Sequence, residues 1–260
     1  MGLSSLPADA TSIETLVLFP FQPDPKRTEK WLIGALIALV AGFFPVLPYA
    51  LLLGHGARIS RDVQAGRPPT LPEWHDLTTY LIDGFKMIGV GVVYSLPALV
   101  LLFGANGVVF GSMAILIVAS GGELDRLDSN VFSFSLIGGQ LVFFSLIVLG
   151  TILMLIGVAL AVPAIQHMLA TGRFASAFDV RAWWPMLRTN ISGWLIAFAV
   201  LFGVNLVLGL MINVLLFSLV FCILLPIAGP LFQVFPAWVG AALYADAYRV
   251  GRERHSKGIA

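Results

Sequence analysis

The sequence predicts an all-α fold, a polytopic transmembrane helix bundle of five or six spans with two amphipathic interfacial loops. Two observations carry that expectation. No charged residue lies between Val131 and Val162, and none lies between Ile191 and Ala245. Charged residues make up only 11% of the chain and hydrophobic ones 58%, where soluble domains carry roughly 25% charged. A soluble helix needs a polar face for water, and these runs have none. At ~1.5 Å per residue, about 20 residues cross the ~30 Å hydrocarbon core of a bilayer. Lipid, not water, is therefore the solvent for most of the chain.

The elements follow in order. Residues 1–30, rich in Pro and small polar residues, read as an extended N-terminal arm, with Leu16 to Phe21 able to lie on the membrane surface. The first ten residues carry no Lys or Arg, and Leu6 stands where a myristoylation signal needs Ser or Thr. Residues 31–248 form a single transmembrane domain. Its first span runs from Trp31 to Leu53, with Trp31 as interfacial anchor and Pro45 and Pro48 as kinks. Gly84 to Ala119 is too long for one straight helix and short for two. Asn106-Gly107 is a natural break there, giving a broken helix or a tight hairpin. Val131 to Val162 is the next span. Ile191 to Ala245 makes two, joined near Asn213 or Pro226. Residues 249–260 are a basic tail.

Charge placement sets direction. Arg58, Arg61 and Arg67 share one loop, Arg173, Arg181 and Arg188 another, and Arg249, Arg252, Arg254 and Lys257 lie at the C-terminus. The link holding Glu123, Asp125 and Asp128 has only Arg126. The positive-inside rule places both Arg-bearing loops and the C-terminus in the cytoplasm. Five spans then put the N-terminus outside, although Lys26, Arg27 and Lys30 pull the other way. Six spans are the alternative.

The two loops echo each other at an offset of 106 residues. Gly66-Arg67 with Thr70 and Glu73 matches Gly172-Arg173 with Ser176 and Asp179. Each pairs a hydroxyl residue with an acid three positions on, the pattern of a helix capping box. A duplicated span–loop–span unit, with halves at about 31–120 and 137–226, gives this arrangement.

The loops also carry the candidate interface. After Thr70, the residues Leu71, Trp74, Leu77, Leu81, Phe85 and Ile88 recur at helical spacing, with Gly84 as a bend. The second loop offers Phe174, Phe178, Trp183, Trp184 and Trp194 interleaved with Arg181 and Arg188. Indole rings favour the headgroup level, and adjacent basic residues hold anionic headgroups. Trp74, Arg67, Arg173, Phe178, Arg181, Trp183, Trp184 and Arg188 are thus the residues expected to meet lipids or a partner. Plain interfacial anchoring is the simpler role for them, and a specific headgroup site the sharper one.

Catalytic and metal chemistry find little here. Glu73, His75 and Asp76 are the densest polar cluster, but Glu73 already has a capping role and no second His stands near. His167 and His255 stand alone and read as surface residues. No phosphate loop, nucleophile elbow or zinc-protease pair occurs. No catalytic residue, metal or cofactor is expected. The single cysteine, Cys222, reads as a packing residue, and a net charge of +1 disfavours nucleic acid. Asn106, Gln140, Asn205, Asn213 and Gln233 read as interhelical hydrogen-bond glue.

Pro20-Phe21 with Pro23 and Pro25, Gly34, Leu71-Pro72-Glu73-Trp74 with Asp76, Asp83-Gly84-Phe85-Lys86 and Ala177-Phe178-Asp179 occur in this order. In these, from about Leu18 to Arg249, the chain resembles a group of bacterial and archaeal multi-span membrane proteins catalogued as a domain of unknown function (4013). The family pattern carries Gly-Tyr where this chain has Gly54-His55. The resemblance implies the membrane class and no activity. The expected function is a non-enzymatic component that organises lipids or partner proteins at the cytoplasmic interface, with membrane lipids, a membrane protein or a second copy as partners. A small permease for a neutral or lipidic solute is the first alternative. It needs a polar cavity near Asn106 and Asn213. A membrane enzyme is the second, and needs Glu73, Asp76 and Asp83 in one cleft.

Overall fold

A computed structural model describes residues 11–121, 129–218 and 225–258, and every regular element among them is helical. The first ten residues, the acidic link and Cys222 lie outside the described residues.

Where an extended arm is expected, the chain folds from Ser12 onward. Ser12 Oγ accepts the Thr15 amide at 3.2 Å and starts α1 (Ile13–Leu18), followed by a 3-10 turn at Phe19–Phe21. Leu16 and Phe19 are buried in the main core. The Pro20 carbonyl accepts from Trp31 Nε1 at 3.0 Å and the Phe21 carbonyl from Arg27 at 2.7 Å. Those bonds lock the arm to the start of α2 (Arg27–Ala41).

The expected first span is instead an antiparallel hairpin of α2 and α3 (Val46–Gln64). Trp31 of α2 and His55 of α3 both lie against Trp238, with ring centroids 4.9 and 5.5 Å from it. The chain reverses at Gly42–Pro45, where the Phe43 and Phe44 amides both bond back to the Val40 carbonyl. Pro45 is the N-cap of α3 and Pro48 sits in its first turn, where a missing amide costs nothing. The prolines start a helix here and kink none. With 15 residues, α2 reaches about 22 Å, short of the ~30 Å hydrocarbon core. Phe43 and Phe44 at the tip are 76% and 72% exposed.

Next come two long helices, α4 (Leu77–Ala119) and α5 (Ser129–Thr171). Asn106 does not break α4. Its Nδ2 donates to the Leu102 carbonyl at 2.8 Å, within the helix. After the short α6 (Val180–Thr189) come α7 (Ile191–Phe217) and α8 (Leu225–Ser256), so the join falls beside Pro226, while Asn213 lies inside α7.

Three helical segments among the described residues are long and apolar enough to cross a membrane, not five or six. They are Leu77–Val118, Ile137–Thr171 and Ile191–Phe217, with mean hydropathies of 2.1, 2.8 and 2.6. The α2–α3 hairpin accounts for one lost span. The expected last span, α8, falls short of that measure among the described residues, since its apolar half carries Pro226, Pro230, Gln233 and Pro236 and its remainder is charged.

The chain divides into two compact units. Within Gly91–Ala161, α4 and α5 pack antiparallel, with Gly157 against the Tyr94 backbone and Gly150 against the Leu102 side chain. In the other unit, Met1–Val90 with Val162–Ala260, α8 is the hub and touches α1, α2, α3, α6 and α7. Val234, Trp238, Val239 and Ala242 of α8 join Leu16, Phe19, Ile59 and Val63 in its core. Here α3 and α4 cross at backbone contact. A Cβ on Gly54 would overlap the Tyr80 carbonyl, and one on Gly84 would overlap that of Ala50. Gly84 therefore serves a close crossing and not a bend.

A polar girdle ties the charged ends of this unit together. Gln64 Nε2 donates to Gln166 Oε1 at 2.7 Å, Ser60 Oγ to the Ala241 carbonyl at 3.0 Å, and Arg252 to the Gln64 carbonyl at 3.0 Å. His167, expected at the surface, is buried with its Nδ1 2.7 Å from the Tyr248 hydroxyl.

Candidate lipid and partner interface

The second loop is built on two helix boundaries. Gly172, at φ 71°, takes the left-handed conformation that ends α5, as Gly66 at φ 77° does after α3. A 3-10 turn spans Phe174–Phe178, and the Asp179 side chain accepts the Ala182 amide at 3.3 Å to cap α6. In the first loop the cap is Asp76, accepting the Thr79 amide at 3.3 Å. Neither Thr70 nor Ser176 is the cap expected from the sequence. Ser176 lies in the 3-10 turn and donates to the Arg173 carbonyl at 2.6 Å. Around Thr70, the carbonyls of Leu71 and Pro72 are held by Lys30 (2.6 Å) and His55 (3.1 Å), which fixes an extended loop.

Clamps on α8 decide which face of α6 is free. Trp183 is 1% exposed and donates its indole N–H to the Ala177 carbonyl at 3.1 Å. Thr189 Oγ1 donates to the Gly251 carbonyl at 3.0 Å, and Asn190 Nδ2 to that of Ala247 at 2.8 Å. Arg254 reaches back to Asn190 Oδ1 at 3.2 Å. What remains outward is Arg181, Trp184 and Arg188, spaced so that they share one face. Trp184 is 41% exposed, with Phe174 and Phe178 exposed nearby in sequence. Trp184, Pro185, Arg188, Thr189 and His255 line a groove of about 390 Å³.

Of the other residues expected at the interface, one is partly buried and two are exposed. Trp74 is half-buried, stacked on His55, with its Nε1 donating to the Lys30 carbonyl at 3.1 Å. Arg67 is exposed and paired with Asp62. Arg173 is exposed.

A second, more polar cleft of about 410 Å³ is lined by Arg58, Arg61, Asp62, Glu73, His75, Asp76 and Tyr80 among others. Its acids already have work. Glu73 pairs with Lys26 at 3.2 Å and lies 3.0 Å from His75, and Asp76 caps α4. Asp83 is buried and receives both arms of the Arg61 guanidinium, at 2.5 and 2.8 Å. The carboxylates needed for an enzyme thus stand as structural partners, and among the described residues no cluster suits a metal ion. Beside this cleft, burial pushes the His55 imidazole down to about 4, so it is neutral at neutral pH. The Pro72 carbonyl can only accept, so Nε2 carries the proton, and Nδ1 is buried without a partner. Neither the Arg61–Asp83 pair nor the place of His55 has a local sequence signal.

Among the described residues these features define an all-helical protein with three helices long and apolar enough to cross a membrane and an exposed basic–aromatic face on α6. The chain belongs to the family described as a protein of unknown function (DUF4013), whose model matches residues 35–217. That segment holds Leu71-Pro72-Glu73-Trp74, Asp83-Gly84 and Ala177-Phe178-Asp179. No curated protein and no solved structure matches it.

Proposed function

We propose that this is a multi-pass, non-enzymatic protein of a prokaryotic plasma membrane that gathers lipids or a partner protein at the cytoplasmic face through α6. The observation that carries the proposal is the outward set Arg181, Trp184 and Arg188, held in place by the buried Trp183. Guanidinium groups beside an indole suit a phosphate headgroup at the level where the ring also finds apolar chains. A long apolar surface supports the membrane setting, since Phe103, Phe110, Val118, Phe202 and Phe217 are each 60% exposed or more.

The helix contacts favour one topology. The ends of α3, α5 and α8 meet at Gln64, Gln166 and Arg252, and the start of α7 meets α8 at Asn190 and Ala247. In this topology α4 leaves and α5 returns, α7 leaves and the less apolar, proline-bearing half of α8 returns beside it, and the α2–α3 hairpin enters and comes back without crossing. Lys26, Arg27 and Lys30 then share the cytoplasmic side with every other basic segment, which removes their conflict with the positive-inside rule.

A permease finds less support. Asn106, Asn205 and Asn213 are exposed and donate to the carbonyls of Leu102, Leu201 and Gly209 on their own helices, each at 2.8 Å. The test is a triple variant, Arg181→Gln with Trp184→Ala and Arg188→Gln, leaving Trp183 intact. It should insert normally yet lose the lipids or protein that co-purify with the wild type in mild detergent. Unchanged retention would overturn the proposal.

A further inference from the structure

We propose that a groove beside the start of α2 binds one anionic phospholipid, with the phosphate on Arg27 and Thr28 and an acyl chain in an aromatic slot. This rests on the membrane setting proposed above, but uses a different surface from the α6 face. The groove has a volume of about 620 Å³ and lies between the 3-10 turn at Phe19–Phe21, the first turn of α2, α7 and α8. Its walls are Phe21, Trp31, Leu208, Leu231, Phe232 and Phe235. Phe21 and Trp31 stack at 5.5 Å, and Phe235 closes on them at 5.4 and 6.3 Å. The indole N–H of Trp31 is already committed to the Pro20 carbonyl at 3.0 Å. The slot therefore meets a ligand with carbon, which suits a hydrocarbon chain and no polar one.

One rim of the slot is cationic. Arg27 is the one charged side chain among the described residues that line it. It gives one N–H to the Phe21 carbonyl at 2.7 Å, and a guanidinium keeps several more donors for a phosphate. Thr28, exposed beside it, adds a hydroxyl. The neighbouring cations are engaged elsewhere, Lys26 with Glu73 at 3.2 Å and Lys30 with Asp24 at 2.6 Å. With no carboxylate among the described residues that line the groove, its charge complements an anionic headgroup and leaves a zwitterionic one without an advantage.

Native mass spectrometry of the full chain, delipidated and then equilibrated with equal phosphatidylglycerol and phosphatidylethanolamine, tests this. One phosphatidylglycerol should be retained. Arg27→Gln should weaken it about fivefold, the loss of one basic residue at an anionic surface, and leave phosphatidylethanolamine unchanged. Leu208→Trp should fill the slot and remove the adduct, and it decides the matter if Arg27→Gln does not fold. The α6 triple variant should keep the adduct. Phosphatidylglycerol retained equally by both groove variants would overturn the proposal. A loss confined to the α6 variant would overturn it too while sparing the interface assigned to α6. A wild-type dimer that Leu208→Trp dissolves would show a second copy in the groove and also contradict it.

Discussion

His55 lies flat against Trp74, the two ring centroids 3.9 Å apart and the planes at 18°. Tyr80 and Trp238 close the same cluster, each 5.5 Å from the imidazole. A histidine here does the work of an aromatic, packed against three rings. The stack fastens the Leu71-Pro72-Glu73-Trp74 loop onto α3.

This arrangement gives a pH dependence. His55 titrates near 4 when folded and near its ordinary value of 6.5 when unfolded. Between those values the unfolded chain binds the extra proton, so stability is full above about pH 6.5 and falls as pH drops toward 4, by roughly 3 kcal/mol. Thermal midpoints in detergent should show the decline in the wild type. His55→Phe should keep the stack and flatten that part of the curve, whereas an identical acid slope in His55→Phe would assign the titration elsewhere.

The α3–α4 crossing leaves no room for a side chain. Gly54→Ala or Gly84→Ala should each cost about 3 kcal/mol, because the added carbon meets backbone that cannot rotate away. Gly91→Ala, with open space around it, should be neutral or gain up to about 1 kcal/mol from helix propensity. Unfolding in a graded detergent mixture separates these outcomes, and equal behaviour of the three variants would argue against the crossing.

Removing one partner of the Arg61–Asp83 pair strands the other. Asp83 is 4% exposed while the Arg61 side chain keeps about a third of its surface, so Asp83→Ala should cost roughly 2–4 kcal/mol, the lower end if water reaches Arg61. The double variant Arg61→Leu with Asp83→Leu should recover much of that loss. If the double change costs as much as the sum of the two singles, the pair has no coupling and the bidentate geometry is not its source of stability.

Lys30 is buried with its ammonium bonded to both Asp24 and the Leu71 carbonyl at 2.6 Å. Lys30→Met should free the loop between Gly66 and Asp76, seen as faster amide exchange there with α5 and α7 unchanged. Exchange rising evenly through the chain would indicate general destabilisation.

The charge-free runs made α5 and α7 legible, because hydropathy needs no tertiary information. It misled at Trp31 to Leu53. The turn Gly42-Phe43-Phe44-Pro45 is as apolar as the helices it joins, so a hairpin and a single span have the same composition. Asn106-Gly107 reads as a break by the rules for water, yet an Asn in an apolar helix can satisfy itself on the carbonyl four residues back. At the α6 face, the spacing of Arg181, Trp184 and Arg188 was visible. The inward turn of Trp183 was not, since periodicity shows which residues share a face but not which face packs. His55, Arg61 and Asp83 meet only through the crossing of α3 and α4, a long-range fact with no local pattern.

Sidedness is the most direct check, because the proposed non-crossing hairpin requires Lys26 and Arg67 on the same side of the membrane. With Cys222 replaced by Ser, single changes Lys26→Cys, Arg67→Cys, Arg173→Cys and Lys257→Cys can be labelled by an impermeant maleimide in sealed vesicles of known orientation. All four should react from the cytoplasmic side and resist the reagent from the other. Labelling of Lys26→Cys from the outside, with Arg67→Cys reacting from within, would mean that the chain crosses between them and would contradict the hairpin.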